Sequence, residues 1–131
     1  MQRFPDNDRK TYLSADSVSE ADQAYLNSTK FLNSLAPSGL PPHKLRLRKI
    51  APIILLRNLE PKQGLLNGTR LRVASLGTRN VWAEIMTGKR RGDYVFLPRI
   101  TLIPSDSGLP FDLRRRQFPL RLAYSMTVNK S

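Results

Sequence analysis

Between residues 44 and 97, large apolar side chains alternate with polar ones, and this two-residue period constrains the fold most strongly. Leu45 and Leu47 alternate with cations, and Leu71 and Val73 do the same further along. Successive side chains of a β-strand point to opposite faces, so each pattern predicts a half-buried strand with a basic outer face. Further strands are predicted at residues 52–58, 81–86 and 94–97.

Turn signals separate these short strands. Asn67-Gly68 is a tight-turn pair, and residues 87–93 (TGKRRGD) have the two glycines typical of a hairpin tip. The chain contains ten prolines and seven glycines, which fits many turns and short elements. Closely spaced strands of this kind predict a mainly β fold built around a small barrel, with SH3-like and OB-like barrels as the candidates.

Both flanks of the predicted barrel have a different character. Ser17 and Glu20 fit a capping box, which predicts a short N-terminal helix towards Leu35, or only over residues 28–35. Residues 104–117 are predicted to be a polar connector. The alternation over residues 120–126 predicts one more strand, which the connector separates from the barrel and which we expect in a different sheet.

Positive charge is concentrated in the middle of the chain. The net charge is −1 over residues 1–36, +10 over residues 44–99 and +3 over residues 100–131, giving +12 in all. A concentrated basic surface attracts polyanions, and nucleic acid is the commonest of them. The alternative is a solvated basic face that keeps the protein soluble.

The candidate DNA-binding residues are cations at exposed strand positions and at the hairpin tip. Arginines at alternate positions of one strand project from the same face, where they can follow a phosphate backbone. The alternative is that such cations protect strand edges from aggregation. Trp82 and Tyr94 are candidates for stacking on bases, whereas packing in the barrel core or on its surface is the commoner role expected of Trp82 and Phe96. The proposed phosphate contacts are Arg46, Arg48, Arg70, Arg72, Lys89, Arg90 and Arg91.

Signatures of several other protein classes are absent from the sequence. There is no G-x-x-x-x-G-K-[ST] phosphate loop, and no paired carboxylates have a spacing that suggests acid–base catalysis. The chain has no cysteine, and His43 alone cannot build a metal site. No apolar run reaches the roughly 18 residues of a membrane span, and the N-terminus lacks a signal-peptide pattern.

A set of motifs in a fixed order is the most specific feature of the sequence. In chain order they are residues 11–18 (TYLSADSV), 37–58 (PSGLPPHKLRLRKIAPIILLRN), 64–73 (GLLNGTRLRV), 94–99 (YVFLPR), 110–119 (PFDLRRRQFP) and 127–131 (TVNKS). Together they resemble the PIF-type (petite integration frequency) DNA helicases, and among these the helicases of eukaryotic Helitron transposons. The likeness extends from residue 11 to residue 131.

The resemblance implies a domain plan. Such enzymes have two RecA-like motor lobes, and an SH3-like β domain called 2B is inserted in the second lobe. Residues 37–103 would be this 2B domain, preceded by an N-terminal segment over residues 1–36. Residues 104–131 would be the connector and the start of the truncated second lobe, including the strand predicted at 120–126. By position in the motor motif, DNA contact is implied for Thr127, Asn129, Lys130 and Ser131.

The resemblance also implies an activity that this chain alone is not expected to perform. The family hydrolyses ATP with Mg²⁺ and moves 5′ to 3′ on single-stranded DNA, but the phosphate loop and metal-holding motif are missing here. We therefore expect an inactive fragment without a cofactor of its own. Its expected properties are single-stranded DNA binding, a monomeric state, no membrane association and a nuclear location.

The intact enzyme would serve replication, repair, recombination, telomere maintenance or Helitron transposition. Two readings compete with the helicase fragment. A free-standing SH3-like module that binds RNA or the ribosome would prefer structured RNA to single-stranded DNA. A protein-interaction barrel with incidental cations would bind its partner with little dependence on salt.

Overall fold

The computed structural model describes residues 8–19, 28–104 and 108–123, and most of its regular elements are strands. The elements are β1 (Arg9–Leu13), β2 (Ala15–Val18), α1 (Thr29–Asn33), β3 (Lys44–Arg48), β4 (Pro52–Leu55), a 3-10 turn (Pro61–Gln63), β5 (Arg70–Leu76), β6 (Asn80–Ile85), β7 (Tyr94–Pro98), β8 (Ile100–Leu102), β9 (Leu113–Gln117) and β10 (Leu120–Leu122). The predicted mainly β class and the short N-terminal helix are confirmed.

The strands pair into three antiparallel sheets. The largest has five strands in the order β10-β4-β5-β6-β7, β1 pairs with β3, and β2-β9-β8 form the third sheet. The described ladders do not close into the predicted barrel, so that expectation is corrected to an open arrangement. The physical reason is that β3 takes its ladder hydrogen bonds from β1, which leaves β10 and β7 as the edges of the larger sheet.

The main core lies between the five-stranded sheet and the β1–β3 pair. Leu45 and Leu47 of β3 are 1% and 2% exposed, and Leu71 of β5 is fully buried. Their partners in the same cluster include Ile53, Leu55, Val81, Ile85, Leu97, Phe118 and Leu120. The inward residues of the alternating segments are therefore those predicted from the two-residue period, and the intervening residues form the outer faces.

The helix α1 belongs to a second, smaller core. Leu32 packs with Val18, Leu40, Leu102 and Leu113, so α1 lies against the β2-β9-β8 sheet. The Ser28 hydroxyl accepts a hydrogen bond from the Phe31 backbone N–H and caps the helix. The shorter of the two predicted helices is therefore confirmed.

The capping box predicted at Ser17 is wrong. Ser17 lies in β2, opposite Arg114 of β9, and its backbone is extended in that ladder. Pairing with a distant strand has overridden the local helix-start signal. The other residue of the predicted box, Glu20, lies outside the described residues.

The last described strand is part of the main sheet. Leu120 of β10 pairs with Leu55 of β4 and is fully buried, and the Leu56 N–H donates to the Pro119 carbonyl at 2.8 Å. The expectation that this segment lies in a different sheet is wrong for residues 120–122, because burial of Phe118 and Leu120 in the main core brings it back. The rest of that predicted strand, residues 124–126, lies outside the described residues.

The predicted connector contains a strand with a buried ion pair. Arg115 of β9 is fully buried, and its guanidinium donates to both carboxylate oxygens of Asp16 at 2.8 and 3.0 Å. It also donates to the backbone carbonyls of Pro41 at 3.2 Å and Leu32 at 3.1 Å. One side chain thus joins β2, β9, the end of α1 and the segment that leads into β3.

Tyr12 makes the stability of the folded protein decrease at high pH. Its phenol is 4% exposed and donates a 2.6 Å hydrogen bond to the Gly77 carbonyl. Burial raises the pKa of Tyr12 to about 12, and the nearby Arg99 charge opposes this rise only in part. The raised folded-state pKa favours the protonated phenol, so its contribution to stability is complete below pH ~10 and is lost towards pH ~12.

We predict that the Tyr12 phenol ionises only near pH ~12 in the folded protein. A shift of about two pH units corresponds to roughly 3 kcal/mol of unfolding free energy between those pH values. Ultraviolet absorbance of tyrosinate should show a late phase that the Tyr12→Phe variant lacks. Superimposable titrations of the two proteins would contradict the assignment.

Candidate nucleic-acid interface

The β1–β3 pair and the end of β10 surround a groove lined by cations. One part has a volume of about 580 Å³ and is lined by Arg9, Lys10, Thr11, Arg46, Leu47, Arg48 and Leu122. The adjoining part, of about 320 Å³, is lined by Pro42, Lys44, Leu45, Arg46, Arg121 and Leu122. Arg46 lines both, and neither lining includes an acidic residue of the described chain. We call this depression the basic groove; its cations are Arg9, Lys10, Lys44, Arg46, Arg48 and Arg121.

Like charges face each other across the β1–β3 ladder. Arg9 lies directly opposite Arg48, and both side chains are exposed on the outer face. Arg46 is one step along the same face, opposite Thr11. Directly opposed like charges destabilise an antiparallel pair, so folding alone gives no reason for this placement. A bound polyanion would relieve the repulsion, because phosphates placed between guanidiniums turn it into attraction.

The cations of β5 lie on another sheet. Arg70 and Arg72 are exposed on the outer face of the five-stranded sheet, whereas Arg46 and Arg48 lie on the two-stranded one. The four arginines therefore do not form a single strand pair, because β5 is paired with β4 and β6. Each pair does project from one face, as the alternation predicted.

Arg72 has a partner within the protein. It donates a 2.8 Å hydrogen bond to the Glu84 carboxylate, directly across the ladder. The hydrogen bond and the charge of Glu84 raise the pKa of Arg72, and the neighbouring Tyr94 adds to the rise. Arg72 is exposed, so a phosphate can bind its guanidinium either by displacing the Glu84 carboxylate or by sharing the guanidinium with it.

The three cations at the hairpin tip differ in their contacts with the rest of the protein. Arg90 donates from Nε and Nη2 to the Lys62 carbonyl at 3.2 and 2.9 Å, and lies 3.5 Å from the Asp93 carboxylate. Its Cβ would be only 3.0 Å from a Cβ added at Gly64, which also has a φ of 82°, so this close approach requires glycine. Arg90 is thus tied to the 3-10 turn, while Lys89 and Arg91 are exposed at the tip.

Three aromatic side chains are exposed on the outer face of β6 and β7. Trp82, Phe96 and Tyr94 are 44%, 46% and 62% exposed. Trp82 lies opposite Phe96, and their rings meet edge to face with centroids 5.1 Å apart. The expectation that such residues pack on the surface of the β domain is met by this contact, but much of each ring faces solvent. We call Trp82, Tyr94 and Phe96 the aromatic face.

The predicted site residues and the cations that line the basic groove do not fully coincide. Thr127, Asn129, Lys130 and Ser131 lie outside the described residues, so their implied role stays a prediction. Arg9 and Arg121 were not predicted as site residues, yet both line the basic groove. Arg121 alternates with Leu120 and Leu122 and could have been found from that pattern. Arg9 could not, because only the pairing of β1 with β3 places it there.

Ser14, His43 and Asp16 form a polar cluster that is structural. The Ser14 hydroxyl lies 2.8 Å from both His43 Nδ1 and an Asp16 carboxylate oxygen. In a nucleophilic triad the acid orients the second ring nitrogen of the histidine, whereas here serine and aspartate both approach Nδ1. Asp16 is in addition engaged by Arg115, so the cluster supports the fold.

Neither a metal-ligand cluster nor a membrane-spanning helix occurs among the described residues. No group of three or more histidine, aspartate or glutamate side chains in that part of the chain is placed to hold a metal ion. No helix among the described residues is both long and apolar enough to cross a membrane.

Comparison with known proteins identifies the central segment. Residues 30–76 match the family described as DNA helicase Pif1, 2B domain. The resemblance to the PIF-type helicases is confirmed. The matched 2B residues include β3, β4 and β5, and therefore Arg46, Arg48, Arg70 and Arg72. They overlap the predicted 2B segment 37–103, whose exact boundaries stay a prediction. No curated protein matches the chain significantly.

Solved Pif1 structures share the fold. Unliganded Pif1 from Bacteroides sp. is 19% identical with a TM-score of 0.60, over 89% of this chain and 33% of that one. Bacteroides Pif1 bound to ssDNA is 19% identical with a TM-score of 0.59, over 89% and 25%. Pif1 helicase from Candida albicans is 20% identical with a TM-score of 0.58, over 90% and 30%. This chain thus spans a third or less of those helicases.

Proposed function

We propose that this chain is a DNA-contacting part of a Pif1-type helicase and that its basic groove binds the phosphate backbone of single-stranded DNA. The 2B match supports the helicase assignment, and a related Bacteroides Pif1 has been solved bound to ssDNA. The observation that carries the proposal is the opposition of Arg9 and Arg48 beside Arg46, in a groove whose described lining has no acid.

The groove suits a backbone more than a base. Guanidiniums present several donors in a planar fork that matches phosphate oxygens, and three arginines of the groove lie on the outer face of one strand pair. Contacts of this kind are independent of sequence and position the nucleic acid, while they carry no base recognition. The groove is therefore proposed to hold a strand without sequence preference.

We further propose the properties of the whole protein from the resemblance. The intact enzyme would hydrolyse ATP with Mg²⁺, move 5′ to 3′ and act in the nucleus as a monomer, in replication, repair, recombination, telomere maintenance or Helitron transposition. The phosphate loop and metal-holding motif of such an enzyme are not in this sequence. This chain by itself is accordingly proposed to bind DNA without hydrolysing ATP.

The test is the salt dependence of binding to a fluorescently labelled oligothymidylate, measured by anisotropy. Each phosphate neutralised on a single strand contributes about 0.7 to the slope of log affinity against log salt, so four groove contacts predict a slope of about −3. A structured RNA of equal length should compete less well. An affinity that does not depend on salt concentration would contradict phosphate binding in the basic groove, and preference for the RNA would favour an RNA-binding module.

A further inference from the structure

We propose that the aromatic face binds the bases of the same single strand, with Trp82, Tyr94 and Phe96 as stacking residues. This inference rests on the proposed function, since it assumes that the strand's phosphates lie in or near the basic groove. It adds a second kind of contact, directed at bases, on a different sheet.

The geometry leaves the rings available. Val81, Ala83, Val95 and Leu97 on the same two strands point into the core, so Trp82, Tyr94 and Phe96 necessarily point outward. A β-bulge in β5 shifts the register between Val73 and Ser75 and places Ser75 opposite Trp82. The small Ser75 side chain leaves the indole uncovered on that side. Three large aromatic side chains that are exposed together mark a binding site more often than singly exposed ones do.

The spacing of the rings fits successive bases. Tyr94 and Phe96 are two residues apart on one strand, so their Cα atoms are separated by about 7 Å. This is about twice the 3.4 Å separation of stacked bases, which leaves room for one ring beside each base of an extended strand. Phe96 and Trp82 widen the platform across the ladder.

The charges around the aromatic face favour a nucleic acid over an apolar protein segment. Arg90, Asp93 and Tyr94 line the same depression of about 510 Å³ as Trp82 and Phe96, and Arg72 lies in the same cross-strand row as Tyr94. Lys89 and Arg91 adjoin Arg90 at the tip. The described acids nearby are Glu84 and Asp93, which are fewer than the cations.

The outer face of the five-stranded sheet connects the two surfaces. Arg121, Ile54 and Arg70 lie in one cross-strand row, with Arg121 also lining the basic groove. The next row along β5 contains Arg72, Glu84 and Tyr94. Four strand spacings of about 4.8 Å separate β10 from β7, or roughly 19 Å. A single strand can therefore leave the groove, pass the β5 arginines and reach the aromatic face.

Trp82 is the single tryptophan of the chain, so its fluorescence reports on this face directly. The experiment titrates the full chain with an oligothymidylate of about 12 nucleotides. A parallel titration uses an abasic strand of equal length, which has the same phosphates and no bases. Stacking predicts quenching of Trp82 by oligothymidylate, and affinity for the abasic strand lower by tenfold or more, since each stacked base contributes about 1–3 kcal/mol.

Variants provide the second arm. Phe96→Ala should weaken oligothymidylate binding by about tenfold, whereas Ile103→Ala, which removes an equally exposed apolar side chain elsewhere, should leave it unchanged. Equal affinity for both strands, with Trp82 emission unaffected, would overturn the stacking role and leave the groove standing. That result would assign the aromatic face to protein contact. Failure of both strands to bind would overturn the proposed function and this inference together.

Discussion

Replacing Arg115 by methionine is expected to lower the free energy of unfolding by about 3–5 kcal/mol. The substitution leaves the Asp16 carboxylate, whose side chain is fully buried, with the Ser14 hydroxyl as its remaining described hydrogen-bond donor. It also removes the donors to the carbonyls of Leu32 and Pro41. A buried charge without its partner and a Pro41 carbonyl without its described donor each cost free energy, whereas the Leu32 carbonyl keeps the Leu35 N–H. Urea denaturation measures the change.

The neighbouring arginines of β9 provide matched controls. Arg114 and Arg116 are exposed on the opposite face of the same strand. Arg114→Met and Arg116→Met remove the same charge and add the same side chain, but they should change stability by no more than about 0.5 kcal/mol. A loss as large in either control as in Arg115→Met would show that strand propensity or net charge, and not the buried pair, governs the effect.

A double-mutant cycle separates the ion pair from the other contacts of Arg115. Asp16→Leu combined with Arg115→Met removes both charges, so no unpaired charge stays buried. The double variant should therefore be more stable than the sum of the two single losses predicts. Additive losses would mean that the carbonyl contacts of Arg115, and not its pairing with Asp16, account for its contribution.

The buried Arg115–Asp16 pair also explains why one strand of the fold could not be predicted from the sequence. The alternation of large apolar residues was sufficient to predict β3, β5, β6 and β7, since burial of one face of each strand decides its pattern. The segment Leu113–Gln117 (LRRRQ) has the same alternation of buried and exposed positions, yet its buried members after Leu113 are Arg115 and Gln117. Polarity therefore hid the strand, because Arg115 can be buried only through a partner 99 residues away.

The same limit applies to the candidate site. Alternation correctly predicted that Arg46, Arg48, Arg70 and Arg72 are exposed, because their neighbours in sequence fill the core. It could not show which strands are neighbours, and therefore could not show that the two arginine pairs lie on different sheets. The opposed Arg9 depends on long-range pairing of β1 with β3, which no local pattern encodes.

The largest effect on binding is expected from the basic groove. Replacing Arg9, Arg46 and Arg48 together by glutamine should weaken single-stranded DNA binding at low salt by about 150-fold, if each lost charged contact contributes about 1 kcal/mol. The slope of log affinity against log salt should become shallower by about 2, because three phosphate contacts at about 0.7 each are removed. Anisotropy titrations at several salt concentrations measure both quantities.

The control must remove the same charge from elsewhere. Arg79, Arg114 and Arg116 are exposed and do not line the groove, so replacing all three by glutamine lowers the net charge equally. If the groove binds the backbone, the control keeps its slope and loses only the small general attraction of net charge, which salt screens. Equal losses in the two triple variants would mean that DNA responds to total charge. The opposition of Arg9 and Arg48 predicts a further difference, since the groove variant relieves a repulsion within the ladder and should unfold at no lower urea concentration than the control.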